Sequence, residues 1–261
     1  MSEPSSVRIG GVCEPFWRHL NTVEWEPEWQ SLVGVLDREH LSCDLRRAFD
    51  RLEVDFEETD SSGRVTICNE WMGYLEDMWR HEKRDELCEI FTALAERNEC
   101  FMFNRLAQTS FAVESIDEQH ALLRLVRGMC LCAQSLRLQF VGNLMQDLLE
   151  RLEKPLDLSP TICGEMLELL LVVISESTEC QRDFMRRNGI ATVCALYANS
   201  DEKDELFERS STFIGLLLQE VLPKGASTAL NNALTAEAKE AVDEALGENE
   251  SEKICKLLQL S

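Results

Sequence analysis

The chain has 261 residues, 44% of them apolar, with 12 glycines and 6 prolines, which allows one elongated domain or two small ones and excludes wholesale disorder. Asp and Glu number 48 against 26 Lys and Arg, a net charge of −22. That charge repels nucleic-acid phosphates and anionic lipid headgroups, and it favours basic or neutral protein partners when it does more than keep the chain soluble.

Most of the chain reads in helical period, so an all-α fold is predicted. Residues 1–13 are a flexible N-terminus without the apolar stretch of a secretory signal. Residues 14–80 form an N-terminal helical segment, with two or three short helices over 14–56 and Trp17, Trp25 and Trp29 near its start. Pro27 suits the first turn of a helix over 26–38. In LSCDLRRAFDRLEVDF, Leu45, Ala48, Phe49 and Leu52 fall at i, i+3, i+4 and i+7, an amphipathic helix. EETDSSGR, residues 57–64, reads as a loop, and further helices are predicted over 69–80, 83–97, 100–113 and 117–133.

From there the chain repeats itself. Leu125, Leu169 and Phe213 are 44 residues apart, as are Val126, Leu170 and Ile214. Met129, Val173 and Leu217 keep the register, as do Cys130, Ile174 and Leu218, and Phe140 matches Phe184. With one residue inserted, Met145, Leu148, Leu149 and Leu152 match Ile190, Val193, Cys194 and Tyr197. Within the second unit a long helix, TICGEMLELLLVVISES, ends near Thr178; CQRDFMRRN is a short helix; Gly189 permits a sharp turn through a positive φ; IATVCALYANS is the next helix.

ECQRDFMRRNGIATVCALYANSDEKDELFERSSTFIGLLLQ, with its glycine between a short and a longer helix, resembles the armadillo repeat. The resemblance covers about 134–221 and extends back to about 83. It implies armadillo-like repeats over 81–222, stacked as a right-handed α-solenoid whose third helices line a groove for extended peptides or partner helices. Residues facing outward from the core register on those helices, Arg124, Arg127, Glu168, Ser175, Thr212 and Gln219, are then the expected binding face. Repeats of this kind need capped ends. The acidic tail, 223–261, carries TALNNALTAEAKEAVDEALGE, with Leu230, Leu234, Ala241, Val242 and Ala245 on one face. It is read as the capping helix or as an independent partner helix.

Chemistry-bearing patterns are weak. His19, His40, His81 and His120 are well separated, and Cys130 and Cys132 form C-x-C at a repeat position that elsewhere holds Ile and Leu, a core slot. Cys163, Cys180 and Cys194 have no C-x-x-C partner, and there is no phosphate loop and no G-x-S-x-G elbow. No enzyme, cofactor, metal or small-molecule substrate is expected. The stretch 58–70 offers a degenerate calcium loop, with Glu58, Asp60, Ser62 and Gly63 at suitable positions but Asn69 where a bidentate carboxylate belongs. WRHLN spaces Trp17 and Asn21 like the ladder of importin-α-type armadillo proteins, but the pair does not recur on Arg124 and Gly128, Glu168 and Val172, or Thr212 and Leu216. ICKLL, 254–258, has the form of a short groove-docking helix.

The expectation is a non-enzymatic scaffold or adaptor that binds a partner protein along a helical-repeat surface, the partner being basic or an extended peptide or helix. Two alternatives are an acidic chaperone-like or transport adaptor for basic clients, and a calcium-responsive regulator using the 58–70 loop. The longest apolar run, LLLVVI at 169–174, is far short of the ~18 residues a membrane span needs. Eleven cysteines read as reduced thiols, so a cytoplasmic location, open to the nucleus, is expected.

Overall fold

The computed structural model describes residues 8–9, 12–13, 27–97, 100–175, 177–201, 204–218, 228–250 and 253–254. Among the described residues the secondary structure is helical apart from two-residue strands β1 (Arg8–Ile9) and β2 (Val12–Cys13), which pair antiparallel within the stretch expected to be loose. No helix among the described residues is long and apolar enough to cross a membrane. The chain divides into two compact units, residues 1–102 and 103–261.

In the first unit α1 (Pro27–Glu58), α2 (Ser61–Arg80) and α3 (Arg84–Arg97) pack on one another. The short helices expected over 14–56 are, in their described part, one helix of 32 residues that begins at Pro27. Its buried Leu45, Leu52 and Phe56 continue the amphipathic face without a break. The loop expected over 57–64 shrinks to Thr59 and Asp60, because the Asp60 carboxylate accepts from the Gly63 N–H at 2.9 Å and starts α2 as its N-cap. Residues 61–70 are therefore helical, and the calcium loop read over 58–70 does not form. Phe49 closes the unit by placing its ring 5.2 Å from both Trp71 and Phe91.

In the second unit α4 (Phe101–Ala112) precedes α5 (Ile116–Cys132), α6 (Gln134–Arg137) with a 3-10 turn to Phe140, and α7 (Asn143–Leu152). There follow α8 (Pro160–Ile174), α9 (Thr178–Arg186), α10 (Gly189–Asn199), α11 (Glu205–Leu218) and α12 (Thr228–Leu246). α5 packs on α8 and α8 on α11, while α7 packs on α10 and α10 on α12, so helices about one 44-residue period apart are neighbours.

Residues spaced 44 apart share burial in the core. Leu125, Leu169, Phe213, Val126, Leu170 and Ile214 are all buried, as are Met129, Val173, Cys130 and Ile174, while Leu217 is half-buried. Ser115 and Ser159, again 44 apart, cap α5 and α8 by accepting from the N–H of Glu118 and Ile162. A hydrogen bond repeats as well. Arg137 Nε donates to the Cys130 carbonyl at 3.0 Å, and Gln181 Nε2, 44 residues on, donates to the Ile174 carbonyl at 2.9 Å. Each bond serves a carbonyl that the end of α5 or α8 leaves without a helical partner.

The break between α9 and α10 falls where expected, but not for the expected reason. Asn188, not Gly189, takes the left-handed backbone, with φ +57°. Gly189 opens α10 with no room for a side chain. The helix expected to run to Thr178 stops at Ile174, and Thr178 opens α9, capped by Ser177.

The C-terminal part lies against α10 and α11. Val242 and Ile254 are buried, and the Tyr197 hydroxyl donates to Glu250 at 2.7 Å. Burial of Ile254 ties the first residue of ICKLL into the core. Leu230 and Leu234 lie in α12 at positions whose side chains are outside the described set; Ala241 is half-buried and Ala245 exposed.

Candidate functional site

α5, α8 and α11 carry the residues expected to face a partner. Their core residues fix which sides point inward, and charged side chains occupy the rows beside them. Arg127 on α5 reaches across to α8, where its Nη1 lies 2.9 Å from the buried Glu165 Oε2 and pairs with Glu168. The other oxygen of Glu168 pairs with Arg209 on α11, whose Nε donates to Glu205 one turn earlier at 3.0 Å. His120 Nε2 stands 3.4 Å from Glu165 Oε1. A ladder of alternating charges thus runs across the three neighbouring helices α5, α8 and α11, with Glu168 shared by two arginines.

This changes the meaning of two predicted residues. Arg127 was expected on an open surface; its side chain is only 20% exposed and is engaged by two carboxylates. Burial lowers its pKa, Glu165 opposes that shift, and the nearby cations Arg124 and Arg209 add to it. Glu168 keeps a partly exposed edge, but its charge is already met. The ladder is a helix-to-helix tie, and its most buried link, Arg127 with Glu165, would leave an unpaired charge if cut.

The other predicted residues separate. Arg124 is half-buried, with no hydrogen bond or ion pair among the described residues. Ser175 belongs to the end of α8: its hydroxyl donates to the Leu171 carbonyl at 2.6 Å, and its own carbonyl accepts from Arg137 Nη1 at 2.7 Å. Thr212 lies on α11 and, together with Glu168, lines an open cavity of about 290 Å³ between α8 and α11. Gln219 lies outside the described residues.

That cavity is where the predicted face becomes a concave surface. Leu167, Leu171 and Phe213 supply its apolar side, and Glu168, Glu205 and Glu208 surround the single cation Arg209. Glu208 is exposed, and its carboxylate has no hydrogen bond or ion pair among the described residues. Glu168 is shared by Arg127 and Arg209, and Glu205 is paired with Arg209, so Glu208 is the rim carboxylate left unpaired, which suits a cationic group presented on an apolar stem.

The sequence reading missed Glu165, Arg209 and Arg137. A signal for the first two was present: Glu165 and Arg209 occupy equivalent positions 44 apart with opposite charge. Arg137 gave none, since a buried arginine bound to carbonyls looks in sequence like any surface arginine.

Among the described residues, no three His, Cys, Asp or Glu side chains converge as a metal-binding set. Burial raises the pKa of Cys130, and it raises Cys163 and Cys194 to about 11, so these thiols stay protonated at neutral pH. The chain matches no protein-family model, no curated protein and no solved structure.

Proposed function

We propose that the chain is an armadillo-like α-solenoid that works as a non-enzymatic interaction scaffold, holding a basic, extended segment of a partner protein in the α8/α11 groove. The observation that carries this reading is the cavity itself, an apolar side formed by Leu167, Leu171 and Phe213 beneath an acidic rim. The repeated hydrogen bond of Arg137 and Gln181 supports the stacked-repeat architecture behind it. A cytoplasmic or nuclear setting fits the nine free cysteines whose side chains are described.

The test is fluorescence anisotropy with a labelled peptide alternating arginine and leucine. Wild type should bind it, and Glu208→Gln combined with Thr212→Arg should weaken binding by at least ~10-fold at unchanged melting temperature. Undiminished binding by the variant would remove the groove from the account. Salt separates this reading from that of an acidic adaptor for basic clients, which the −22 charge favours. Binding through diffuse charge collapses at high ionic strength, whereas binding that buries leucines in the groove persists in part.

A further inference from the structure

We infer that Arg209 is an internal occupant of the groove's cation site, and that an arginine side chain of the partner binds by displacing it. The inference rests on the α8/α11 groove being the partner site. It names the group that the groove selects, a guanidinium rather than cations in general.

The seat is shaped for that group. The Arg209 side chain lies across α8 against Gly164, where an added Cβ would stand 2.8 Å from its Cδ and 3.0 Å from its Cζ. Glycine leaves α8 bare at this point; the position 44 residues earlier holds His120. Two carboxylates hold the edges of the guanidinium. Its Nη1 pairs with Glu168, while Nε and Nη2 both donate to Glu205 Oε1, at 3.0 and 2.6 Å. A planar fork has donors for both acids, whereas a lysine offers one nitrogen to share between them.

The seat can also be vacated, as the two arginine links of α8 show by their burial. Arg127 is tied to Glu165, and those side chains are 20% and 8% exposed. Arg209 is 24% exposed, but its carboxylates are open, 42% for Glu168 and 63% for Glu205. Ion pairs that water reaches are weak, so the Arg209 link gives way before the Arg127 link. When it does, Glu168 keeps Arg127 and no buried carboxylate is stranded.

The seat opens into the groove. Glu168, Glu205 and Arg209 line the same cavity as Leu167, Leu171 and Phe213. An arginine entering there lays its methylenes on these apolar side chains and its guanidinium between the same two carboxylates. Ion pairs lost and gained are then alike, Arg209 passes into water, and apolar burial tips the exchange toward the partner. Arg209 thereby weakens binding, because the apparent affinity scales with the fraction of chains whose seat is empty.

Fluorescence anisotropy with the labelled arginine–leucine peptide compares the full wild-type chain with Arg209→Gln and Arg209→Lys. Emptying the seat in Arg209→Gln should tighten binding by at least ~10-fold. Arg209→Lys keeps the net charge and should fall between wild type and Arg209→Gln, which separates the seat from a general gain in negative charge. On Arg209→Gln, the same peptide with lysine in place of arginine should bind at least ~10-fold more weakly than the arginine peptide. Displacement itself is read in wild type, so the test does not depend on a variant that folds: peptide should move the NMR signal of the Arg209 Nε–H to the position of a free arginine. Peptide binding with that signal unmoved would overturn the inference and leave the groove in place. So would a folded Arg209→Gln chain that binds no tighter, a gain that Arg209→Lys does not share, or equal affinity for the two peptides. No binding of the arginine peptide by wild type or either variant would remove the groove itself, and the inference with it.

Discussion

A Cβ on Gly189 would lie 2.1 Å from Cε2 of the Phe184 ring. Phe184 is 1% exposed, and its ring centroid stands 6.0 Å from that of Phe213 on α11. The ring cannot step aside without disturbing the next helix, so the first residue of α10 is limited to glycine by contact. Gly189→Ala should cost about 1–3 kcal/mol through overpacking, and Phe184→Ala about 3–5 kcal/mol through loss of packing and cavity formation. The double variant should lose less than the sum, because removing the ring makes room for the methyl group. Urea unfolding of the four proteins measures this; simple additivity would contradict the contact.

Asn188 carries the left-handed backbone at the same junction, with φ +57°. Asn188→Gly should be tolerated to within about 0.5 kcal/mol, whereas Asn188→Val should cost at least ~1 kcal/mol because its branched Cβ is forced against the backbone. Thermal melts followed by circular dichroism distinguish the pair, and equal melting temperatures would show that the junction adopts another conformation.

Charge reversal on α5 should split by residue. Arg127→Glu places a carboxylate beside Glu165 and Glu168 and strands the buried Glu165 charge, so a loss of at least about 2 kcal/mol is expected. Arg124→Glu removes a cation that opposes Arg127 and should stay within about 0.5 kcal/mol of wild type. Denaturant midpoints measured side by side decide it, and matching midpoints would mean that the ladder does not bear on stability.

Glu250 links pH to the attachment of the C-terminal segment. The hydrogen bond from Tyr197, and then that from Lys253, hold its pKa below the usual 4.5. A carboxylate depressed on folding stabilises the native state above its unfolded pKa, and that contribution is lost as pH falls through the lower folded value. Tyr197→Phe should flatten this part of the acid limb, below the usual carboxylate range, as seen in melting temperature against pH. A variant with the wild-type acid limb would show that the contact makes no contribution.

What could be read in advance follows from what periodicity encodes. The rows Leu125, Leu169, Phe213 and Val126, Leu170, Ile214 were legible because burial demands apolar residues at fixed spacing, and all six are buried. The pause at 187–188 was legible from its polar residues, but a glycine excluded by a ring and a glycine needed for positive φ look alike in one dimension. The loop reading over 57–64 failed at Asp60, whose carboxylate caps α2, as a short acidic stretch before an apolar run often does. The partners of Arg127 were not legible because the core register says which side chains face inward but not which outward-facing ones meet across neighbouring helices. Only the fold brings Glu165, Glu168 and Arg209 together with it.

Hydrogen–deuterium exchange of the full chain, with and without the arginine–leucine peptide, tests the central claim most directly. A partner segment lying in the α8/α11 groove should slow exchange in fragments covering 167–171 and 205–213 and leave α2 unchanged, and Glu208→Gln with Thr212→Arg should abolish the effect. Peptide binding with no slowing in those two fragments, or with slowing confined to other helices, would contradict it.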